Sequence, residues 1–302
     1  METPDDIEKF NFESLTSSQN IELDHPLCVC CLAENRCNLN CIYCFGEDKM
    51  YKNRRIASVD ELYEPLVKLQ PIQISLGGGE PTLNPMLGEI IDYISAHEIA
   101  ILVDTNGTTE ELQKIISVVK RNDVLIRVSI DSLNDEIIRE VRPYKGKIGI
   151  LVAERIKKNI EMLLDNEVEV TVQTVLSRIN LKEMKEIADF LVKKGIKRWH
   201  ISGVKYSEKC KSSYDSISIT EKEILDAQKR LSEYKKYMDI TFAYEKDYGP
   251  NARLFFDVNG DFLTDSIVEG LNYLGRNPQL TEIYKKLDKN GHIQRYLGDF
   301  YI

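Results

Sequence analysis

The chain has 302 residues, with 40 Lys and Arg against 49 Asp and Glu and a formal charge of −9. Clustered basic side chains are what a phosphate backbone demands, so this balance excludes nucleic acid as the expected partner. No apolar run reaches membrane-spanning length, and Met1-Glu2-Thr3-Pro4-Asp5-Asp6 is acidic where a secretory signal is basic, so the expectation is a cytoplasmic protein with no membrane partner.

Residues 1–25 are polar and acidic without sustained periodicity and read as an N-terminal extension. From Pro26 onward, short β-branched runs alternate with amphipathic stretches. Strands are expected at Leu27–Leu32, Ile72–Leu76, Ala100–Val103, Val124–Ile130, Val168–Leu176 and Lys197–Ser202, and helices near 59–69, 86–98, 110–120, 150–165 and 181–194. Six strand–helix repeats predict an α/β fold with a parallel sheet, a partial (β/α)6 TIM-like barrel over 26–205. Asn84 before Pro85, Asn180, and Thr220 with Glu223 supply expected helix caps. Paired lysines such as Lys157-Lys158 and Lys193-Lys194 fall on helix-like patterns and read as solvated faces. After about Tyr206 the rhythm changes to a helix over 221–237, a hairpin through Asn259-Gly260, and a last helix near 279–289. This segment, 206–302, is expected to be a small C-terminal α+β appendage.

Six of the seven cysteines lie within the first 44 residues, the wrong distribution for a disulfide framework in a chain this size. Cys37, Cys41 and Cys44 stand at C-x3-C-x2-C spacing in the loop after the first strand. Iron–sulfur clusters are normally closed by four cysteines, so three thiolates leave one iron for an exchangeable ligand. A zinc knuckle lacks its fourth ligand, because Cys28, Cys30 and Cys31 sit on a buried strand whose alternate side chains face opposite ways. The other strand exits carry chemistry too: Gly77-Gly78-Gly79-Glu80-Pro81, Asp104-Thr105-Asn106-Gly107, Ser129 with Asp131, and Gly203 followed by Cys210. Barrel active sites lie at the strands' carboxyl ends.

On Cys37-x3-Cys41-x2-Cys44 with Tyr43, Gly78-Gly79-Glu80, Thr105-Asn106-Gly107 and Ser129-Ile130-Asp131, the sequence resembles the radical S-adenosylmethionine (radical SAM) superfamily over roughly 26–205. The resemblance implies a [4Fe–4S] cluster on Cys37, Cys41 and Cys44 whose open iron chelates S-adenosylmethionine. Reductive cleavage would then give a 5′-deoxyadenosyl radical that abstracts hydrogen from a substrate. It further implies that Gly78, Gly79 and Glu80 receive the methionine ammonium, that Tyr43 holds the adenine through its backbone, and that Ser129 and Asp131 serve the ribose or carboxylate region. Thr105 and Asn106 join that cofactor set, and Arg142, in preference to Arg139, pairs with the carboxylate. The tail resembles a reduced, cysteine-free version of the SPASM/twitch extensions of peptide-modifying members, which points to a ribosomal peptide as substrate, for crosslinking or epimerisation. Cys210 is the candidate hydrogen-atom donor, against the plainer reading of an idle loop cysteine. The remaining expectations are a small-molecule or nucleoside substrate, a low-potential electron donor such as a flavodoxin or ferredoxin, and, in a different class, a non-catalytic Fe–S redox sensor or binding protein.

Overall fold

The structure is a computed structural model, and it describes residues 23–46, 57–145, 151–243, 251–266 and 270–296. All but the last three residues of the expected N-terminal extension lie outside the described residues. The strands are β1 (Cys28–Glu34), β2 (Gln73–Gly78), β3 (Ala100–Thr105), β4 (Leu125–Ser129), β5 (Val170–Leu176), β6 (Arg198–Gly203), β7 (Asp239–Ala243), β8 (Leu254–Phe256), β9 (Phe262–Ser266) and β10 (Gly270–Gly275). They form one open sheet in the order β10-β9-β8-β1-β2-β3-β4-β5-β6-β7. From β8 to β7 every pairing is parallel; only the hairpin pairs β8–β9 and β9–β10 are antiparallel.

The six expected strands are all present, and the pattern extends further than expected. Asp239–Ala243 continues the parallel sheet beyond β6, with Trp199 opposite Ile240 and Ile201 opposite Phe242. At the other edge β8 lies parallel to β1, with Phe255 opposite Cys30, so the C-terminal segment adds strands to the barrel sheet itself. The Asn259-Gly260 turn is confirmed. Gly260 has φ +83°, and the Asp257 carboxylate accepts the N–H groups of Asn259 (2.9 Å) and Asp261 (3.0 Å).

Outward-facing strand residues meet the helices. Leu62 and Leu66 of the helix Val59–Lys68, Ile90 and Ile94 of Leu87–Ser95, Ile156 and Ile160 of Val152–Asp165, and Ile187 and Leu191 of Met184–Lys194 all bury against one apolar core that includes Ile74, Val103, Ile126 and Val172. Strands covered on both faces read as near-continuous apolar runs, which is why β1 to β6 were recognisable. The Thr220–Glu223 capping box forms as expected. Asn84 makes the expected capping bond, its Oδ1 accepting the Met86 N–H (3.0 Å), and also donates to the Ala33 carbonyl (2.8 Å), whereas the Asn180 amide donates to the carbonyls of Asp131 and Val175 (both 2.9 Å). The last helix is two, Leu280–Lys286 and Lys289–Arg295.

The second of these closes the foot of the barrel through His292, which is 2% exposed. Its Nε2 accepts from the Leu27 N–H (3.1 Å) and its Nδ1 faces the Ala252 carbonyl (3.1 Å), a pairing that only the neutral Nδ1–H tautomer satisfies. Burial pulls its pKa down to about 4, against the opposing bond to Ala252. Below its unfolded value of about 6.5 the unfolded chain takes up a proton that the native chain refuses, so this contribution to stability is complete above pH 6.5 and is lost as the pH falls toward 4. In urea titrations at a series of pH values, wild type minus His292→Gln is expected to rise by about 3 kcal/mol between pH 4 and 6.5 and then level off. Parallel profiles would show that His292 is not held neutral.

Candidate functional site

The cysteine loop is held by backbone before any side chain acts. Gly79 donates to the Glu34 carbonyl (2.7 Å) and Glu80 to the Arg36 carbonyl (2.8 Å), so the chain leaving β2 lies directly on the chain leaving β1. Gly78 has φ +121°, and a Cβ there would collide with the Glu34 carbonyl oxygen; one on Gly79 would collide with that of Arg36. Glycine is required at both positions. On its far side the loop is bonded to the segment 141–145, with Ile42 donating to Val141 (3.0 Å), Asn40 to Pro143 (2.8 Å) and Lys145 to Asn38 (2.8 Å).

Strung between these two supports, Cys37, Cys41 and Cys44 all line one end of a cavity of about 900 Å³ at the carboxyl ends of the strands. No other cysteine lines it. Burial raises the thiol pKa of Cys37, and pushes that of Cys41 up to about 11 against the pull of Arg142. Such thiols ionise when a cation arrives to bind them. Among the described residues no group of His, Cys, Asp and Glu is arranged as the shell of a metal ion. Cys37, Cys41 and Cys44, lining one large cavity, would hold an iron–sulfur cluster through three thiolates and leave it open to an exchangeable ligand.

Glu80 is fully buried, and its side chain does not line the cavity. Its Oε1 accepts from Thr82 N–H (3.2 Å), Thr82 hydroxyl (2.6 Å) and Thr105 hydroxyl (2.7 Å), and its Oε2 from Asn106 N–H (2.7 Å). Burial raises its pKa, with these donors opposing. Of the residues expected at the ammonium, Gly78 and Gly79 line the cavity, while the Glu80 side chain lies behind its wall and clamps the β2 exit to the β3 exit. Asn106 carries the connection onward, donating to Asn38 Oδ1 (2.7 Å) and lying 3.8 Å from Cys37 Sγ.

On the opposite wall Asp131, 1% exposed, accepts from the Tyr43 hydroxyl and from Val175 N–H (2.8 Å), and stands 3.6 Å from Arg142 Nε. Burial pushes Asp131 up to about 6, against Arg142 and the Val175 bond. Arg142 donates through Nη1 to the Ser129 carbonyl (2.7 Å), while its Nε, buried, has no hydrogen-bond partner in the protein. Arg142 lines the cavity beside the thiols, and a guanidinium there suits the carboxylate of an amino acid-like cofactor. Arg139 is exposed and does not line the cavity. Gly78, Gly79, Tyr43, Thr105, Asn106, Ser129, Asp131 and Arg142 all do.

A protein-family model described as the radical SAM superfamily matches residues 34–191, just over half of the chain. The chain belongs to the radical SAM superfamily. Its cofactors are the family's, a [4Fe–4S] cluster and S-adenosylmethionine, and the donors just described fit both.

Among relatives, the mycofactocin maturase of Mycolicibacterium smegmatis is 26% identical over 57% of this chain, and this chain spans less than half of that protein, 43%. The S-adenosylmethionine-dependent nucleotide dehydratase of Flammeovirga pacifica is 26% identical over 77% of this chain and 83% of its own length. In fold, the radical SAM chain is similar to SuiB of Streptococcus suis bound to its precursor peptide SuiA, with a TM-score of 0.67, 15% identity, and coverage of 90% of this chain and 67% of that one.

Cys210 departs from expectation. It is fully buried outside the cavity lining, packed with Val204 and Ile217, and its sulfur lies 3.3 Å from both the N–H and the hydroxyl of Ser207. Ser207 in turn donates to the Cys44 carbonyl (3.4 Å), so this turn buttresses the cysteine loop, and nothing in the geometry offers the Cys210 hydrogen to a substrate. The sequence reading passed over Arg127, His200, Arg253 and Arg295, which also line the cavity. The available signal was charge inside apolar strands, since Arg127 interrupts Leu-Ile-Arg-Val-Ser and pairs with Asp104 at 2.5 Å.

Glu80→Ala strands four donors at one buried point and is expected to destabilise the protein by about 3 kcal/mol in urea unfolding. A loss below about 0.5 kcal/mol would show that Glu80 is not the clamp.

Proposed function

We propose that this radical SAM enzyme cleaves S-adenosylmethionine reductively and removes a hydrogen atom from a substrate seated in the 900 Å³ cavity. The observation that carries this reading is the sharing of one cavity by three thiols and Arg142. When bound, cluster and cofactor supply a 5′-deoxyadenosyl radical, a species strong enough to attack an unactivated C–H bond. The chain's own part is to position. Backbone carbonyls at Gly78 and Gly79 receive the ammonium, Arg142 takes the carboxylate, and the Tyr43 backbone holds the adenine. Asp131 keeps Tyr43 and Arg142 in place and Ser129 closes the ribose side. Thr105 and Asn106 fix the wall behind Cys37. A low-potential carrier such as a flavodoxin or ferredoxin brings the electron.

For the substrate, a ribosomal peptide undergoing crosslinking or epimerisation is supported by the names of relatives: a mycofactocin maturase by sequence, and by fold SuiB, solved with a precursor peptide. A small molecule or nucleotide is the second reading. It is supported by the nucleotide dehydratase, of which this chain spans 83%, and by the basic wall of the cavity.

Anaerobic reconstitution with iron and sulfide, then dithionite and S-adenosylmethionine, is expected to release 5′-deoxyadenosine from the wild type and none above background from Cys41→Ala. No release from wild-type protein with a verified four-iron cluster would overturn the reading. Faster release on adding a leader-like peptide would favour the peptide, and faster release with a nucleoside triphosphate the second reading.

A further inference from the structure

Although the chain as a whole is acidic, the cavity is not. Its acidic lining residues are Asp104, Asp131 and Glu208. The first two are answered by Arg127 and Arg142, and Glu208 shares its stretch of wall with Lys205 and Lys209. Beyond these the wall carries Lys145, Arg253 and Arg295.

Three of these cations, Arg127, Arg253 and Arg295, converge at the barrel lumen below the cysteine loop. Arg127 lies on β4, 6% exposed, and is forked onto Asp104 by Nε (2.5 Å) and Nη2 (3.0 Å). Arg295, 9% exposed, rises from the last helix to place Nη2 3.4 Å from the Cys30 sulfur on β1. Arg253, just before β8, stacks 5.0 Å from the centroid of the Phe45 ring, next to Cys44, and bonds Asp265 at 3.1 Å. The charges of Arg295 and Arg253 both reach Cys30, and those of Arg295 and Arg127 both reach Cys28. The three arginines thus line one cavity from three different elements of the fold. Each has an anchor that fixes its direction, which lowers the ordering cost of binding a ligand there. Arginine is the side chain suited to forked binding of phosphate or carboxylate.

We propose that Arg127, Arg253 and Arg295 form an anion subsite that seats a phosphate or carboxylate group of the substrate in the cavity that the cysteine loop also lines. This rests on the function proposed above and adds a chemical class to the substrate. Two of the three arginines come from the C-terminal segment. A tail with no cysteine therefore still shapes substrate choice, through charge.

The test is calorimetric titration of the anaerobically reconstituted protein at low ionic strength, with saturating S-adenosylmethionine so that the cofactor's own carboxylate site is filled. The probes are inorganic pyrophosphate and an Asp-Glu dipeptide. Arg295→Gln and Arg253→Gln are each expected to weaken binding roughly tenfold or more, because each removes a charge-assisted bond. Lys157→Gln, on a distant helix, should leave it unchanged. Binding of pyrophosphate identifies phosphate as the source, and binding of the dipeptide alone identifies carboxylate. No binding of either probe, or equal binding in wild type and both folded arginine variants, overturns the proposal. Circular dichroism of each variant establishes folding, and the conservative Arg253→Lys, which keeps the charge, should retain part of the affinity. Release of 5′-deoxyadenosine is scored separately. A protein that cleaves the cofactor but binds no anion refutes the subsite alone, and one that binds the anion but never cleaves refutes the radical reading alone.

Discussion

The site depends on a contact between two stretches of main chain. Where β1 and β2 end, the Gly78-Gly79 backbone lies against Glu34 and Arg36 so closely that neither glycine can carry a Cβ. Every later feature builds on that contact. It sets where Cys37 begins, and it turns the Glu80 carboxylate toward Thr105 and Asn106, whose amide then reaches Asn38 and the Cys37 sulfur. A main-chain contact has no rotamers to lose, so the cysteine loop is positioned without the entropy cost that long side chains would bring.

The two buried carboxylates divide the remaining labour by environment. Glu80 is surrounded by neutral donors and faces away from the cavity, so its charge is absorbed locally and serves the scaffold. Asp131 has Arg142 beside it and lies on the cavity wall. A buried pair of this kind contributes little net stability, because desolvation offsets attraction. Its value lies in holding a guanidinium rigidly on the cavity wall.

Much of this was legible in the sequence because period and spacing are local properties. The strands up to β6 are apolar runs, Gly78-Gly79 announces a close approach, and C-x3-C-x2-C announces an incomplete ligand set. What escaped depends on partners distant in sequence. Asp239–Ala243 is a short strand that only the free edge of β6 reveals. Asn180, placed as a cap, is drawn instead to carbonyls of Asp131 and Val175. Cys210 follows β6 in the chain, yet the apolar residues Val204 and Ile217 pack it out of the cavity, and no spacing rule encodes that.

The C-terminal segment is joined to the barrel at both its edge strand and its foot. Because β8 pairs with β1 rather than folding apart, Arg253 reaches Phe45 beside the third cysteine of the loop. Because His292 is pinned between Leu27 and Ala252, the helix that carries it is fixed at the foot of the barrel and its last residue, Arg295, reaches the Cys30 sulfur. The cavity is thus walled by the strand ends of the barrel and by the tail together. The tail therefore touches the cysteine loop as well as the cavity wall, through Arg253 on Phe45 and Ser207 on the Cys44 carbonyl, so the loop and the far strands are held as one unit.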